Sequence, residues 1–120
     1  MQSNELPEFH RIDYSSEFAR RLQENFVDTG NWVALCRDPE TGHYWQYDEW
    51  DKYHVGLAIR IHDPDNWRTF DDLPVRVAYL VQSRGGVEEA ECMWAGCTRK
   101  RLKGIAYCPE CAYEKAGIRE

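Results

Sequence analysis

No run of eighteen apolar residues occurs in the 120-residue chain, so no segment is built to cross a membrane as a helix. Histidine is scarce: His10, His43, His54 and His62 are scattered, with neither an H-E-x-x-H motif nor an i, i+4 pair. The chain lacks a nucleophile elbow, a phosphate-cradling glycine loop and a dinucleotide fingerprint. Glu40, His43, Asp48 and His54 would make an acid/base site only by chance proximity, so catalysis is not expected. Internal repeats and low-complexity tracts are missing as well. The first residues, Met-Gln-Ser-Asn-Glu, form no apolar signal segment, which with clustered thiols sets the expectation of a cytoplasmic protein.

Positive charge is also short. Fifteen Lys/Arg face 21 Asp/Glu, for a net charge of −6. Residues 1–91 hold 9 cationic and 18 anionic side chains, whereas residues 92–120 hold 6 and 3. An acidic body repels a phosphate backbone and favours a basic partner, so nucleic acid is not the expected ligand. With 42% hydrophobic residues and sixteen aromatics, the chain suits a modest globular core.

What is present, and dense, is cysteine. Four of the five cysteines lie between Cys92 and Cys111, as C-x4-C, ten residues, then C-x2-C. Two close pairs across a hairpin-sized gap supply four thiolates for tetrahedral Zn²⁺, so Cys92, Cys97, Cys108 and Cys111 are the expected ligands of one structural zinc. Gly96 stands before Cys97, where a metal knuckle turns. Gly104 separates Arg101-Leu102-Lys103 from Ile105-Ala106-Tyr107, two expected short strands. Pro109 and Glu110 open a short helix that stops at Gly117. Knuckle, hairpin and a pair at a helix N-terminus resemble the treble-clef class of zinc fingers. Arg99, Lys100, Arg101 and Lys103 offset the −2 formal charge of a four-thiolate zinc centre. They also carry the alternative reading of this segment, a nucleic-acid-binding or regulatory finger. Four thiolates leave no open coordination position, so the metal is a staple.

The rest reads as an α+β body over 1–91, a small antiparallel sheet with packed helices, followed by the finger over 92–120 packed on it. Residues 1–14 form a loose lead-in. Phe18, Leu22 and Phe26 recur at helical spacing and predict a helix from Glu17 to Asp28. Strands are expected over Trp32–Cys36, His43–Tyr47 and Val55–Ile61, the first two joined by the Pro39/Gly42 turn. Trp67–Phe70 suits one helical turn. Leu73–Arg84 fits either a strand or a helical face; Pro74 near its start and Gly85-Gly86 at its end favour the helix. Val87–Glu91 links to the finger. Cys36 is expected as a buried small hydrophobe, a metal role with His43 being the weaker option.

Asp48, Glu49, Trp50, Asp51 and Tyr53 mix carboxylates with aromatic anchors, as suits a contact with a basic protein surface. The alternative is a solvated turn with its aromatics inward. Asp63, Asp65 and Trp67 repeat the chemistry a few residues on. The segments Trp32-Val33-Ala34-Leu35-Cys36, Gly42-His43-Tyr44-Trp45 and Asp48-Glu49-Trp50-Asp51-Lys52-Tyr53 are together similar to small bacterial immunity proteins of polymorphic toxin systems. In that resemblance a strand ending in Cys-x2-Cys-Gly leads into an aromatic strand and an acidic, aromatic turn. Here Cys36 is kept, and the second cysteine is replaced within Arg37–Thr41. The resemblance runs from Trp32 to roughly Trp67. It implies a protein that neutralises a cognate toxin by covering a basic active-site cleft.

Overall fold

The computed structural model describes residues 6–30, 32–49 and 56–119. The chain separates into two compact units, residues 1–71 and 72–120. The first is built on a five-stranded antiparallel sheet of order β1-β5-β4-β3-β2. Its strands are β1 (Phe9–Arg11), β2 (Phe26–Thr29), β3 (Val33–Arg37), β4 (Tyr44–Asp48) and β5 (Leu57–Ile61). Strand β3 pairs with β4 from Val33↔Asp48 to Arg37↔Tyr44, which makes the expected hairpin. Strand side chains alternate between the two faces, and both faces are covered.

On one face helix α1 (Glu17–Gln23) buries Ala19 and Leu22 with Ala34, Cys36, Trp45, Tyr47 and Ala58. Ser16 caps α1 by accepting a hydrogen bond from the Ala19 N–H at 3.1 Å. On the other face a 3-10 helix, Pro64–Thr69, sets Trp67 against Leu35 and Ile61. The Arg21 guanidinium grips the buried Asp38 carboxylate with two bonds, 3.0 and 3.2 Å, tying α1 to the β3–β4 loop. Asp38 also accepts the Glu40 N–H, so it organises the turn and anchors the helix together.

The expected helix from Glu17 to Asp28 is half right. It stops at Gln23, and Phe26–Thr29 becomes an edge strand, with Phe26↔Cys36, Asp28↔Leu35 and a bulge between them. The helical spacing of Phe26 is real, but pairing with β3 satisfies backbone groups along the segment and outweighs local propensity. Phe26 still packs its ring against Tyr47 in a tilted pair, ring centres 6.0 Å apart. The lead-in is likewise more ordered than expected, because Phe9–Arg11 pairs with β5.

The second unit starts with helix α2 (Leu73–Arg84), closed by Gly85 in the left-handed region at φ 86°. Val87–Glu91, expected as a linker, is strand β6. It pairs with β7 (Lys100–Leu102), while 105–107 forms a tight turn through Ile105 N–H to Leu102 O and Leu102 N–H to Tyr107 O. Helix α3 (Pro109–Glu114) follows. Leu80, Leu102 and Ala112 make the apolar centre of this unit, with Ile105, Tyr107 and Tyr113 around them. Helix α2 therefore belongs with the cysteine segment, and the seam lies at Asp71/Asp72 rather than at the expected 91/92.

Two predictions follow from the sheet. Gly56 leaves no space for a Cβ, which would collide with a Tyr14 hydroxyl pinned at 2.9 Å to the Asp48 carbonyl. Gly56→Ala should cost about 1–3 kcal/mol in urea unfolding, with Tyr14→Phe partly restoring the loss. Arg21 holds the Asp38 carboxyl below its ordinary 3.8, against the opposing effect of burial. The stability this adds is present above the ordinary pKa and is lost as pH falls through the lowered one. Between about pH 5 and 2, Tm should fall less steeply in Asp38→Asn than in wild type, from a lower starting value.

Candidate metal centre

Cys92 directly follows β6 and Cys97 closes the loop after it. The Cys92 N–H donates to the Arg99 carbonyl at 2.7 Å, and the Cys97 N–H to the Trp94 carbonyl at 3.0 Å. This turn needs Gly96 at φ 80°, with open space around it. Inside the loop the Trp94 N–H points at the Cys92 sulfur, 3.4 Å away. The second pair is set by α3: Cys108 is its N-cap residue, Pro109 follows, and the Cys111 N–H donates to the Cys108 sulfur at 3.4 Å. A Met93 N–H to Ala106 carbonyl bond of 2.9 Å joins the loop to the turn before α3.

These elements bring the four sulfurs within 4.8 Å of one another. Cys97 Sγ and Cys108 Sγ are 3.7 Å apart. Four sulfurs each ~2.3 Å from one tetrahedral ion would stand ~3.8 Å apart, so the cluster fits a metal ion and is far wider than a disulfide. Cys108 is fully buried, Cys92 and Cys111 nearly so, and Cys97 is half-buried. Without a cation the thiols divide. Burial opposes ionisation of Cys92, yet N–H and thiol donors outweigh it and bring its pKa down to about 7. Burial and the neighbouring sulfurs push Cys111 up to about 12, and Cys108 also rises. Cys92 ionises readily while Cys108 and Cys111 resist, so a full four-thiolate set calls for a bound cation. The Arg99 guanidinium is held charged by Glu110 first, then by Cys108 and Cys97, and so sits beside that sulfur charge.

Among the described residues, these four make up the metal-ligating group. Cys36 is outside it: fully buried under α1, its thiol is pushed up to about 12 by burial and by the Glu49 charge. It is the small core residue the sequence suggested.

The residues expected at a partner surface scatter. Asp48 is buried, and its Oδ2 accepts the Leu57 N–H at 2.8 Å; this corrects its place as a surface charge. A β4 carboxylate at that spot serves the first backbone donor of β5 as the chain returns. Trp67 is also buried, its indole N–H on Asp28 at 3.0 Å, so it is a core residue rather than an exposed anchor. Trp50, Asp51 and Tyr53, with His54, lie outside the described residues. Glu49 is half-buried, and its N–H donates to the Trp32 carbonyl at 3.0 Å. Asp63 and Asp65 are exposed, Asp63 accepting from the Asn66 side chain at 2.7 Å.

The sequence reading missed Trp32. It opens the hairpin at φ 65° and is 67% exposed. The Gly30-Asn31 turn signal just before it was the available hint. Among the described residues no helix is long and apolar enough to cross a membrane. Compared with protein-family models, curated proteins and solved structures, the chain matches none.

One metal ion per chain is expected by elemental analysis of protein purified without chelator. Cys108→Ser should abolish that stoichiometry and collapse amide-exchange protection across 72–120, because so small an apolar centre does not hold the segment alone. Retained protection in metal-free protein would count against the staple.

Proposed function

We propose that this chain is a zinc-stapled, non-catalytic protein of the immunity type, acting in the cytoplasm by covering the basic active-site cleft of a cognate toxin. The observation that carries this reading is the placement of charge. The sheet unit, residues 1–71, holds seven Lys/Arg against fourteen Asp/Glu, while residues 72–120 hold eight against seven. An excess of carboxylates on one unit steers a cationic surface toward it and resists nucleic acid. Exposed Asp63 and Asp65, with Glu49, supply part of that field.

Zinc suits the cysteine cluster because soft thiolates in a closed tetrahedron favour it, and such a set leaves no position for a substrate. Cys92, Cys97, Cys108 and Cys111 would hold it; the ion would supply folding energy to 72–120. A colourless protein with stoichiometric zinc fits; a coloured four-sulfur iron centre would not. The basic run counts little toward the nucleic-acid alternative. Lys100 is 3.1 Å from the Glu89 carboxylate, Arg101 donates to the Glu91 carbonyl at 2.8 Å, and Arg99 lies in the field of Glu110 and the thiols.

The test begins with the reading frame beside this chain's gene. A large secreted protein with a variable C-terminal domain is expected there, and co-expression of this chain should rescue cells from that domain. Glu49→Gln, Asp63→Asn and Asp65→Asn together should slow association about tenfold at low salt and flatten its salt dependence. A toxic domain left active by the wild-type chain overturns the reading. So does tight, salt-sensitive binding of random duplex DNA that is lost on neutralising Arg99, Lys100, Arg101 and Lys103.

A further inference from the structure

The two edges of the five-stranded sheet differ. Strand β1 presents exposed His10 and Arg11, polar guards of the kind that keep an edge from pairing. Strand β2 carries neither Lys nor Pro, and its sequence Phe-Val-Asp-Thr leaves Phe26 42% and Val27 55% exposed. The turn that follows adds Trp32 at 67%. Single exposed apolar side chains are ordinary, but three large ones within seven residues of one edge are not scattered.

Trp32 also sits where a bulky residue is costly. Its φ of 65° is the single positive value among described residues other than glycine. A glycine would take that conformation without strain, so the Trp side chain stands here against the local backbone preference. Among the described residues, the clusters on the two sheet faces do not include it. Its backbone, by contrast, is fixed: Glu49 N–H holds its carbonyl, and the Gly30 N–H closes the turn on the Val33 carbonyl at 2.7 Å. A rigid frame thus presents an aromatic ring to solvent.

We propose that this β2 edge, with Phe26, Val27 and Trp32, is the docking surface for a basic protein partner, and that Trp32 is its anchor. The proposal rests on the toxin-binding reading and names its surface. Charge selects the occupant. The unit's seven cations against fourteen anions oppose a second copy of the same acidic face and favour a cationic one. Glu24 is exposed just before β2, and the backbone N–H of Glu49 donates to the Trp32 carbonyl, so an acidic residue neighbours the apolar strip at each end. The bulge between Phe26 and Asp28 breaks the regular ladder, so side-chain docking, rather than addition of a partner strand, fits this edge.

The test separates the surface from the reading on which it rests. The probe is the toxic domain encoded beside this chain, with a catalytic-site substitution for safe handling, and binding is followed by surface plasmon resonance. Wild type should bind. Trp32→Gly should weaken binding at least about thirtyfold, mainly through faster dissociation, while Tm stays level or rises because glycine relieves the backbone. Val27→Lys should lower the association rate by placing a cation in the approach path. If wild type binds and Trp32→Gly binds equally well, the surface is wrong and the toxin-binding reading stands. If wild type does not bind, both fall. Sedimentation that reveals a dimer dissolved by Trp32→Gly would make the strip a self-interface and overturn the proposal.

Discussion

Sulfur atoms crowded within 4.8 Å cannot all carry charge unless a cation sits among them, and the organisation of residues 72–120 follows from that constraint. The loop must turn at Gly96 to aim Cys92 and Cys97 at the same point, and Cys108 must cap α3 so that Cys111 falls one turn on. Backbone N–H groups of Trp94 and Cys111 are directed at sulfur rather than at carbonyls, which stabilises thiolate over thiol. The apolar centre around Leu80, Leu102 and Ala112 is slight, and a cation among the four sulfurs would add to what holds the unit.

The sheet unit solves its stability differently. It covers both faces, with α1 on one and the 3-10 helix on the other, and it spends several polar groups inside. Asp38 joins α1 to a hairpin loop, Asp48 receives the first backbone donor of β5, and Asp28 holds the Trp67 indole. Three members of the acidic excess are thereby structural. Among the described residues, Glu24, Asp63 and Asp65 are acids of this unit that stand exposed.

The two units thus divide their roles. The cysteine unit is close to charge balance and its cations are partly engaged with Glu89, Glu110 and the thiols. The sheet unit carries the charge, and along one edge it also carries the exposed apolar side chains. Four cysteines placed to close a tetrahedral site leave no open coordination position among them.

Features whose cause is local were readable in the chain itself. The C-x4-C and C-x2-C spacings bring each pair of thiols together within a few residues, so the ligand set could be named in advance. Pro74 and Gly85 bounded α2, and the Pro39/Gly42 turn joined β3 to β4, for the same reason. Features with a distant cause were not readable. Phe26 keeps helical spacing yet lies in a strand, because β3 offers it a ladder partner. Asp48 looked like a surface acid, but the return of β5 places a backbone donor against it. Trp67 looked like an anchor and became core, since Asp28, thirty-nine residues earlier, accepts its N–H. The residues determined the cysteine cluster by themselves because each pair closes over a short loop. Which side chains face solvent was decided only when distant strands paired, since burial belongs to the assembled sheet and not to any one segment.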